Sequence, residues 1–206
     1  PDLPYLRVLL DCYLVSGPRV EPERARFALD AGVPLALLTY LHRAGILFVE
    51  KSRDMFVTNL TCCYLHWRGR AKPHQLILVQ GKREEDAAKL VYSKDPSVGR
   101  ISFQESHLPP HLQMMSFPRA ASAGALLAPN GSQWRAIPMG AHIIRSEHPS
   151  VVMSDEAAFQ EEFSEAYTAA LPAIEGGGQL LAISSAEPGP FEDLVEEILS
   201  DAGLSK

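Results

Sequence analysis

The segment VVMSDE, residues 151–156, decides the fold that we predict for this protein. Val151–Ser154 is a short, unbroken and mostly apolar run, which is typical of a strand buried on both faces of a parallel sheet. Asp155 and Glu156 follow it directly. Carboxylates at a buried strand end cost free energy unless a cation or hydrogen bonds compensate their charge. The segment therefore predicts a buried strand that leads into a functional site, although a helix start enriched in acids would show the same residues.

Three more apolar runs of this kind occur along the chain, and each is followed by turn residues and then by a helical pattern. The runs are Ile46–Val49, Leu76–Val79 and Leu180–Ile183. The helices predicted after the four runs cover about Thr58–Arg68, Glu84–Tyr92, Phe159–Ala170 and Phe191–Ser200. Strands that alternate with helices predict an α/β fold with a mostly parallel sheet flanked by helices. Ligands of such sheets bind beyond the carboxyl ends of the strands.

Two other segments have weaker patterns. Asn130-Gly131 lies between the runs Ala125–Ala128 and Gln133–Ile137, and this arrangement predicts a β-hairpin. The segment Ser93–Pro118 is interrupted by prolines, which disfavour regular helices, so we expect it to be irregular.

Composition and charge limit the classes of protein that fit the chain. With 206 residues, of which 46% are hydrophobic, the chain is long enough for one α/β domain with a sizeable core. It has no apolar stretch long enough to span a membrane, and we recognise no signal peptide. The net charge of −6 argues against a protein that binds nucleic acid over its whole surface. The cysteines form no CxxC pair, which favours a reduced, intracellular compartment.

Basic residues are concentrated in the first third of the chain. The cluster consists of Lys51, Arg53, Arg68, Arg70 and Lys72. A local basic patch is enough for transient contacts with DNA phosphates, whereas tight binding at many phosphates would resist movement along the nucleic acid. The cluster is therefore either a local contact for DNA phosphates or a solvated face of the protein, and the sequence leaves both interpretations open.

The segment KSRDMFVT, residues 51–58, joins the first predicted strand to its helix, where a phosphate-binding loop belongs. Thr58 stands where such a loop carries its Mg²⁺-binding hydroxyl. Lys51 enters the loop from the opposite end, from which a lysine can reach the same phosphates, and Arg53 is a second cation in reach. Phe56 departs from the GxxxxGK[ST] pattern, because the position two before the hydroxyl is normally glycine. A strand–loop–helix unit without nucleotide is the alternative.

The acids and the following strand have distinct predicted roles. Asp155 would hold Mg²⁺ through its water shell, and Glu156 would orient and polarise the attacking water. Ser184 and Ser185 end the neighbouring predicted strand, and their hydroxyls would contact the terminal phosphate or the water and sense its loss. A turn whose serine, proline and glycine residues only set the backbone shape is the alternative for this segment.

Three motifs in this order resemble the large subunit of viral terminases, the ATP-driven packaging motors of tailed phages and herpesviruses. Lys51–Thr58 is similar to the family's variant phosphate loop, KSRDMGVT. Arg145–Ser150 precedes the acidic strand as in the family, and Arg145 would be either an arginine finger or a surface residue. Ile183–Gly189 matches the family's coupling motif, which is rich in Ser, Thr and Ala and followed by Pro-Gly. The resemblance covers residues 45–200.

The resemblance implies a P-loop NTPase fold of the ASCE type with a β-hairpin insertion. It implies a single ATPase domain over residues 1–206, with a helical lead-in at 1–34 and a core at 45–200, and without the nuclease domain of a full large subunit. The implied cofactors are ATP and Mg²⁺. The implied nucleotide-binding residues are Lys51, Ser52, Arg53, Asp54, Met55, Phe56, Val57, Thr58, Ser184 and Ser185. The implied catalytic residues are Lys51, Arg53 and Glu156, and the implied metal-binding residues are Thr58 and Asp155.

The function implied by the resemblance is ATP hydrolysis that drives double-stranded DNA into a procapsid. The implied partners are DNA, a portal protein, a small terminase subunit and copies of the chain in a ring on the portal, in the host cytoplasm and away from membranes. Two alternatives remain. In the first, Phe56 closes the phosphate site and leaves a DNA-binding or scaffold module. In the second, the same core serves a helicase-like translocase.

Overall fold

The computed structural model describes residues 45–51, 57–92, 99–113, 124–185 and 187–201, with side chains described as far as residue 197. The predicted lead-in at residues 1–34 and the loop residues Ser52–Phe56 lie outside these ranges. Among the helices that lie within them, none is both long and apolar enough to cross a bilayer.

The described residues form a six-stranded sheet with helices on both faces. The strands are β1 (Ile46–Glu50), β2 (Leu76–Gln80), β3 (Ala125–Leu127), β4 (Gln133–Ile137), β5 (Val151–Asp155) and β6 (Gln179–Ser184). The helices are α1 (Val57–Ala71), α2 (Glu84–Val91), α3 (Arg100–Ser106), α4 (His142–Glu147), α5 (Phe163–Glu175) and α6 (Pro190–Asp201). The strand order is β1-β6-β5-β2-β4-β3, and only the β3–β4 pair is antiparallel. The predicted mostly parallel α/β sheet is confirmed.

The unbroken apolar runs reflect a sheet that is covered on both faces. Because side chains alternate along a strand, Val151 and Met153 pack with α1–α3, whereas Val152 packs with α4 and α5 on the opposite face. Strand β1 is the exception. Ile46–Val49 is only half-buried, since β1 pairs with β6 on one side and forms an edge of the described sheet.

The predicted hairpin is confirmed, and it extends the central sheet. Strands β3 and β4 pair across a turn in which Gly131 has a φ of +82°, a conformation that glycine adopts without strain. Strand β4 also pairs in parallel with β2. Trp134 on β4 is fully buried, and its Nε1 donates a hydrogen bond to the backbone oxygen of Leu65 in α1 at 3.0 Å. The hairpin is thereby tied to the helix that follows the predicted phosphate loop.

Two sequence predictions need correction. The region Ser93–Pro118, predicted to be irregular, contains helix α3. The inward residues of α3 are Ile101, Gln104 and Glu105, so its buried face is mostly polar and carries almost no apolar signal. The helix predicted at Phe159–Ala170 starts only at Phe163, because a short 3₁₀ turn follows the acids first.

Candidate nucleotide-binding site

Three neighbouring strands bring the described part of the predicted site to one edge of the sheet. Strands β1, β6 and β5 lie side by side, and Glu50 pairs in register with Ser184 while Asp155 pairs with Ile183. The backbone N–H of Lys51 donates to the Ser184 oxygen at 2.9 Å. Because the carboxyl ends of parallel strands meet at the same edge, residues that are distant in the sequence share one site.

Thr58 and Asp155 are in direct contact. The Thr58 hydroxyl, in the first turn of α1, donates to the Asp155 Oδ1 at 2.9 Å. Burial raises the pKa of the Asp155 carboxyl, and the negative charge of Glu156 adds to this effect, whereas the Thr58 hydrogen bond and Lys51 oppose it. The charge of Asp155 is therefore incompletely compensated, and a bound cation would stabilise it.

Glu156 is held between a lysine and a backbone amide. Its Oε1 lies 3.3 Å from the Nζ of Lys51, and its Oε2 accepts from the Ser185 N–H at 3.5 Å. The Lys51 side chain is only 9% exposed, but that of Glu156 is 44% exposed and open to water. Glu156 also has a φ of +52°, a left-handed conformation that residues with a Cβ seldom adopt and that recurs at functional sites.

The turn that carries Glu156 is fastened by two side chains. The hydroxyl oxygen of Ser184 accepts from the Ala158 N–H at 3.0 Å. The amide of Gln160 donates to the backbone oxygen of Asp155 at 2.9 Å and to the Ser154 hydroxyl at 3.0 Å, and Gln160 is almost completely buried. Ser184 thus supports the acid-bearing turn, and its contact with a terminal phosphate stays a prediction. The sequence carried no signal for Gln160, which stands in a segment predicted to be helical.

Arg100 is a cation near the site that sequence reasoning did not single out. It begins α3 and donates a hydrogen bond to the side-chain oxygen of Asn59, the residue after Thr58. Cys62 lies on α1, the helix that also carries Thr58 and Asn59. Burial, together with the charge of Asp155, raises the pKa of its thiol to about 12. Cys62 is therefore a neutral packing residue rather than a nucleophile.

Among the described residues, the members of the predicted basic cluster do not form one continuous patch. Lys51 lies at the acid edge of the sheet. Arg68 is buried and donates to Gln179, whereas Arg70 forms an ion pair with Glu105. These three members therefore lie in different environments, whereas Arg53 lies outside the described residues, and both interpretations of the cluster stay predictions.

Several predicted site residues stay predictions. Ser52, Arg53, Asp54, Met55 and Phe56 lie outside the described residues. Among the described residues, no group of three or more His, Cys, Asp or Glu side chains is arranged to hold a metal ion.

Arg145 is described by the structure, but its function stays open. It is exposed on α4 and lines a pocket of about 490 Å³ together with Glu162 and Glu165.

Comparison with solved structures identifies phage large terminases as proteins of similar fold. The large terminase of bacteriophage HK97 matches with a TM-score of 0.60 and 17% sequence identity, over 97% of this chain and 42% of that chain. The large terminase ATPase domain of Thermus phage P74-26 matches with a TM-score of 0.47 and 17% identity, over 75% of this chain and 66% of that chain. No protein-family model matches the chain, and no curated protein sequence matches it. The chain thus has the fold of part of a large terminase, in agreement with the predicted mostly parallel α/β sheet flanked by helices, and it spans less than half the length of the HK97 protein.

Proposed function

We propose that this chain is an ATP-hydrolysing domain of a phage DNA-packaging motor of the large-terminase kind. The observation that carries this proposal is the hydrogen bond between Thr58 and Asp155, which are separated by 97 positions in the sequence. It joins a hydroxyl at the start of the helix after β1 to a carboxylate at the end of β5. A P-loop ATPase uses these two oxygen groups to hold Mg²⁺ against the nucleotide phosphates.

The chemistry of these two residues fits magnesium. Mg²⁺ takes oxygen ligands, and in nucleotide sites it uses one or two carboxylates together with phosphate oxygens and water. Thr58 and Asp155 supply a hydroxyl and a carboxylate, and burial makes the Asp155 charge costly without a cation, as its raised pKa indicates. When bound, the ion would neutralise charge on the phosphates of ATP.

Lys51 and Glu156 support a simple exchange of partners when ATP binds. The Lys51 ammonium lies 3.3 Å from a Glu156 carboxylate oxygen. The phosphates of ATP carry more negative charge than one carboxylate, so Lys51 would turn to them and leave Glu156 free. Glu156 is exposed enough to accept a hydrogen bond from water, and it would orient that water for attack. Arg53 would add a second cation.

The wider role follows by analogy with proteins of the same fold. The HK97 protein, which has a similar fold, is a large terminase. We infer that this chain couples hydrolysis to the movement of double-stranded DNA into a procapsid. Its partners would be DNA, a portal protein, a small terminase subunit and further copies of the chain in a ring, in the host cytoplasm during assembly.

Replacement of Glu156 by glutamine tests the catalytic assignment. Glu156→Gln should lower ATP turnover by about 10²- to 10⁴-fold, because the side chain can no longer act as a base. Binding of Mg²⁺–ATP should persist and should still raise the melting temperature. Glu161→Gln is the matched control, since Glu161 is an exposed acid a few residues further along the chain. Turnover is measured by phosphate release and binding by thermal shift.

Distinct outcomes separate the parts of this proposal. If millimolar Mg²⁺–ATP leaves the melting temperature of the unaltered protein unchanged, the ATPase assignment fails, and a scaffold or DNA-binding module is favoured. If ATP is hydrolysed but duplex DNA neither binds nor stimulates turnover, the motor assignment fails. Strand separation on a forked duplex would favour a helicase-like translocase.

A further inference from the structure

A second pocket lies at the amino edge of the sheet, opposite the acids. It has a volume of about 420 Å³, within the range of pockets that hold small ligands. It is bordered by the end of α1, by the residues that precede β2 and β5, and by the glycine turn after α5. Among the described residues that line it, none is an aspartate or a glutamate. Its polar side chains are those of Arg68, Lys72, Gln75, His148 and Ser150.

Arg68 is a buried charge without a carboxylate partner among the described residues. It is 7% exposed, and its Nη1 donates to the Tyr64 hydroxyl at 3.1 Å and to the Gln179 amide oxygen at 2.7 Å. Both acceptors are neutral, and the Nε of Arg68 has no hydrogen-bond partner among the described residues. A buried charge costs several kcal/mol unless an opposite charge compensates it, at least in part.

The neighbouring Arg70 shows what this fold does with an arginine whose role is structural. Arg70 lies two positions further along α1, and its Nη1 donates to Glu105 at 2.6 Å. The structure supplies a carboxylate for Arg70 but only neutral oxygens for Arg68. This difference in partners indicates that the positive charge of Arg68 is available to bind a ligand.

The other polar side chains of the pocket can donate hydrogen bonds. Lys72 follows Arg68 by four positions, is exposed, and has its backbone N–H bonded to the Arg68 oxygen at 3.0 Å. The Ser150 hydroxyl oxygen already accepts from the backbone N–H of Leu76 at 3.4 Å, so its own hydrogen remains to be donated. The Gln75 amide uses one of its two hydrogens on the Pro73 oxygen. A pocket that offers two cationic side chains and further hydrogen-bond donors, but no carboxylate among the described residues that line it, favours an oxyanion as its ligand.

We propose that this pocket binds a phosphate oxyanion, with Arg68 and Lys72 supplying the positive charge. A guanidinium presents a planar fork of N–H groups that matches two oxygens of a phosphate, and an ammonium adds a point charge. A backbone phosphate of duplex DNA and free inorganic phosphate share this chemistry. The proposal is independent of the ATPase assignment, because the pocket lies at the opposite edge of the sheet from Asp155 and Glu156.

Charge reversal at Lys72 tests the pocket without disturbing its buried arginine. Lys72 is exposed, so Lys72→Glu leaves the Arg68 contacts with Tyr64 and Gln179 intact. Lys89→Glu is the matched control, because Lys89 is an exposed lysine on α2 that does not line the pocket. Both changes are made in the 206-residue chain carrying Lys51→Ala, in which phosphate binding at the proposed nucleotide site is weakened. Inorganic phosphate is titrated by calorimetry, and a short labelled duplex is titrated by fluorescence anisotropy over a range of salt.

The two titrations distinguish the sources of the phosphate. If the ligand is a DNA phosphate, Lys72→Glu should weaken duplex binding by about tenfold relative to Lys89→Glu and reduce the slope of log K against log salt by about one. If the ligand is free phosphate, Lys72→Glu should weaken phosphate binding by about tenfold, while duplex binding stays equal in the two variants. The proposal is overturned if Lys72→Glu and Lys89→Glu bind both ligands equally well. It is also overturned if the Lys51→Ala protein, without either charge reversal, binds neither ligand.

Discussion

Helix α1 takes part in two clusters of charged side chains, one at its start and one in its second half, and the two are built differently. At the start, Thr58 meets Asp155, and Glu156 lies beside Lys51 with nearly half of its side chain exposed. In the second half, Glu105 of α3 accepts a hydrogen bond from Arg70 at 2.6 Å and lies 2.6 Å from the His66 Nε2. We call the second group the α1–α3 cluster. The acids of the first cluster can take a further ligand, whereas the Glu105 carboxylate is already surrounded by donors.

The charge states of the α1–α3 cluster are consistent with a structural role. Burial lowers the pKa of His66, although its hydrogen bond to Glu105 opposes this effect. His66 is therefore neutral at neutral pH, and its Nε2 carries the hydrogen because a carboxylate only accepts. The cluster joins α1 to α3 through contacts that no ligand can enter, since His66 and Glu105 are buried.

The comparison between the cluster at the start of α1 and the α1–α3 cluster shows how a functional group of charged residues differs from a structural one. Asp155 is buried with incomplete compensation, so its pKa is raised, and Glu156 adopts a strained backbone conformation. A buried charge and a strained backbone both cost free energy, and they persist at sites where ligand binding or a reaction depends on them. Glu105, by contrast, has its charge compensated by Arg70 within the fold.

The largest expected effect concerns the α1–α3 cluster. Glu105→Ala should lower the free energy of unfolding by about 3–5 kcal/mol, because it leaves Arg70, whose side chain is only 11% exposed, without its carboxylate. Glu147→Ala is the control, since Glu147 pairs with Arg135 near the surface and such pairs contribute about 0–1 kcal/mol. Urea unfolding followed by circular dichroism measures both. Equal losses in the two variants would show that the α1–α3 cluster does not hold the helices together.

An intermediate effect is expected at the start of α1. Thr58→Val keeps the side-chain shape but removes the hydroxyl, so Mg²⁺-dependent ATP turnover should fall by about 10- to 100-fold. The free energy of unfolding should change by only about 1 kcal/mol. Thr61→Val is the matched control, because the Thr61 hydroxyl donates to the Val57 backbone oxygen within the same helix. Comparable turnover in both variants would remove Thr58 from the proposed metal site.

The smallest expected effect is a pH dependence of stability. The raised pKa of Asp155 means that the folded protein binds this proton more tightly than the unfolded chain does. Stability of the ligand-free protein should therefore fall as pH rises from the ordinary aspartate pKa through the raised one. Asp155→Asn removes this loss, so the variant should be the more stable protein at neutral pH, and the advantage should vanish in acid. Thermal unfolding between acidic and neutral pH measures the difference.

Asp86 provides a control of opposite sign. Hydrogen bonds from Lys89 and Arg83 lower its pKa, so its contribution to stability is present at neutral pH and is lost as pH falls through that lowered value. Asp86→Asn should therefore be slightly less stable than the unaltered protein at neutral pH. If Asp155→Asn is also less stable there, burial is not the dominant influence on Asp155.

Elements with an apolar periodicity were predictable, and elements with a polar interior were not. The four strand runs and the hairpin were correct because each of them packs apolar side chains against the core, although those of β1 are only half-buried. Helix α3 was missed because Gln104 and Glu105 occupy its inward face, and their burial depends on partners outside the helix. Gln160 was missed for a similar reason, since it acts through the backbone of Asp155.

The sequence by itself determined the alternation of four apolar strands with helices, and with it the meeting of Lys51, Asp155 and Ser184 at one edge. This follows because parallel strands with intervening helices place all their carboxyl ends together. Only the tertiary structure decided what each charge faces. Arg68 and Arg70 stand two positions apart in the sequence, yet their partners Gln179 and Glu105 lie 111 and 35 positions away. Whether a charge is compensated depends on such long-range contacts, which no local pattern contains.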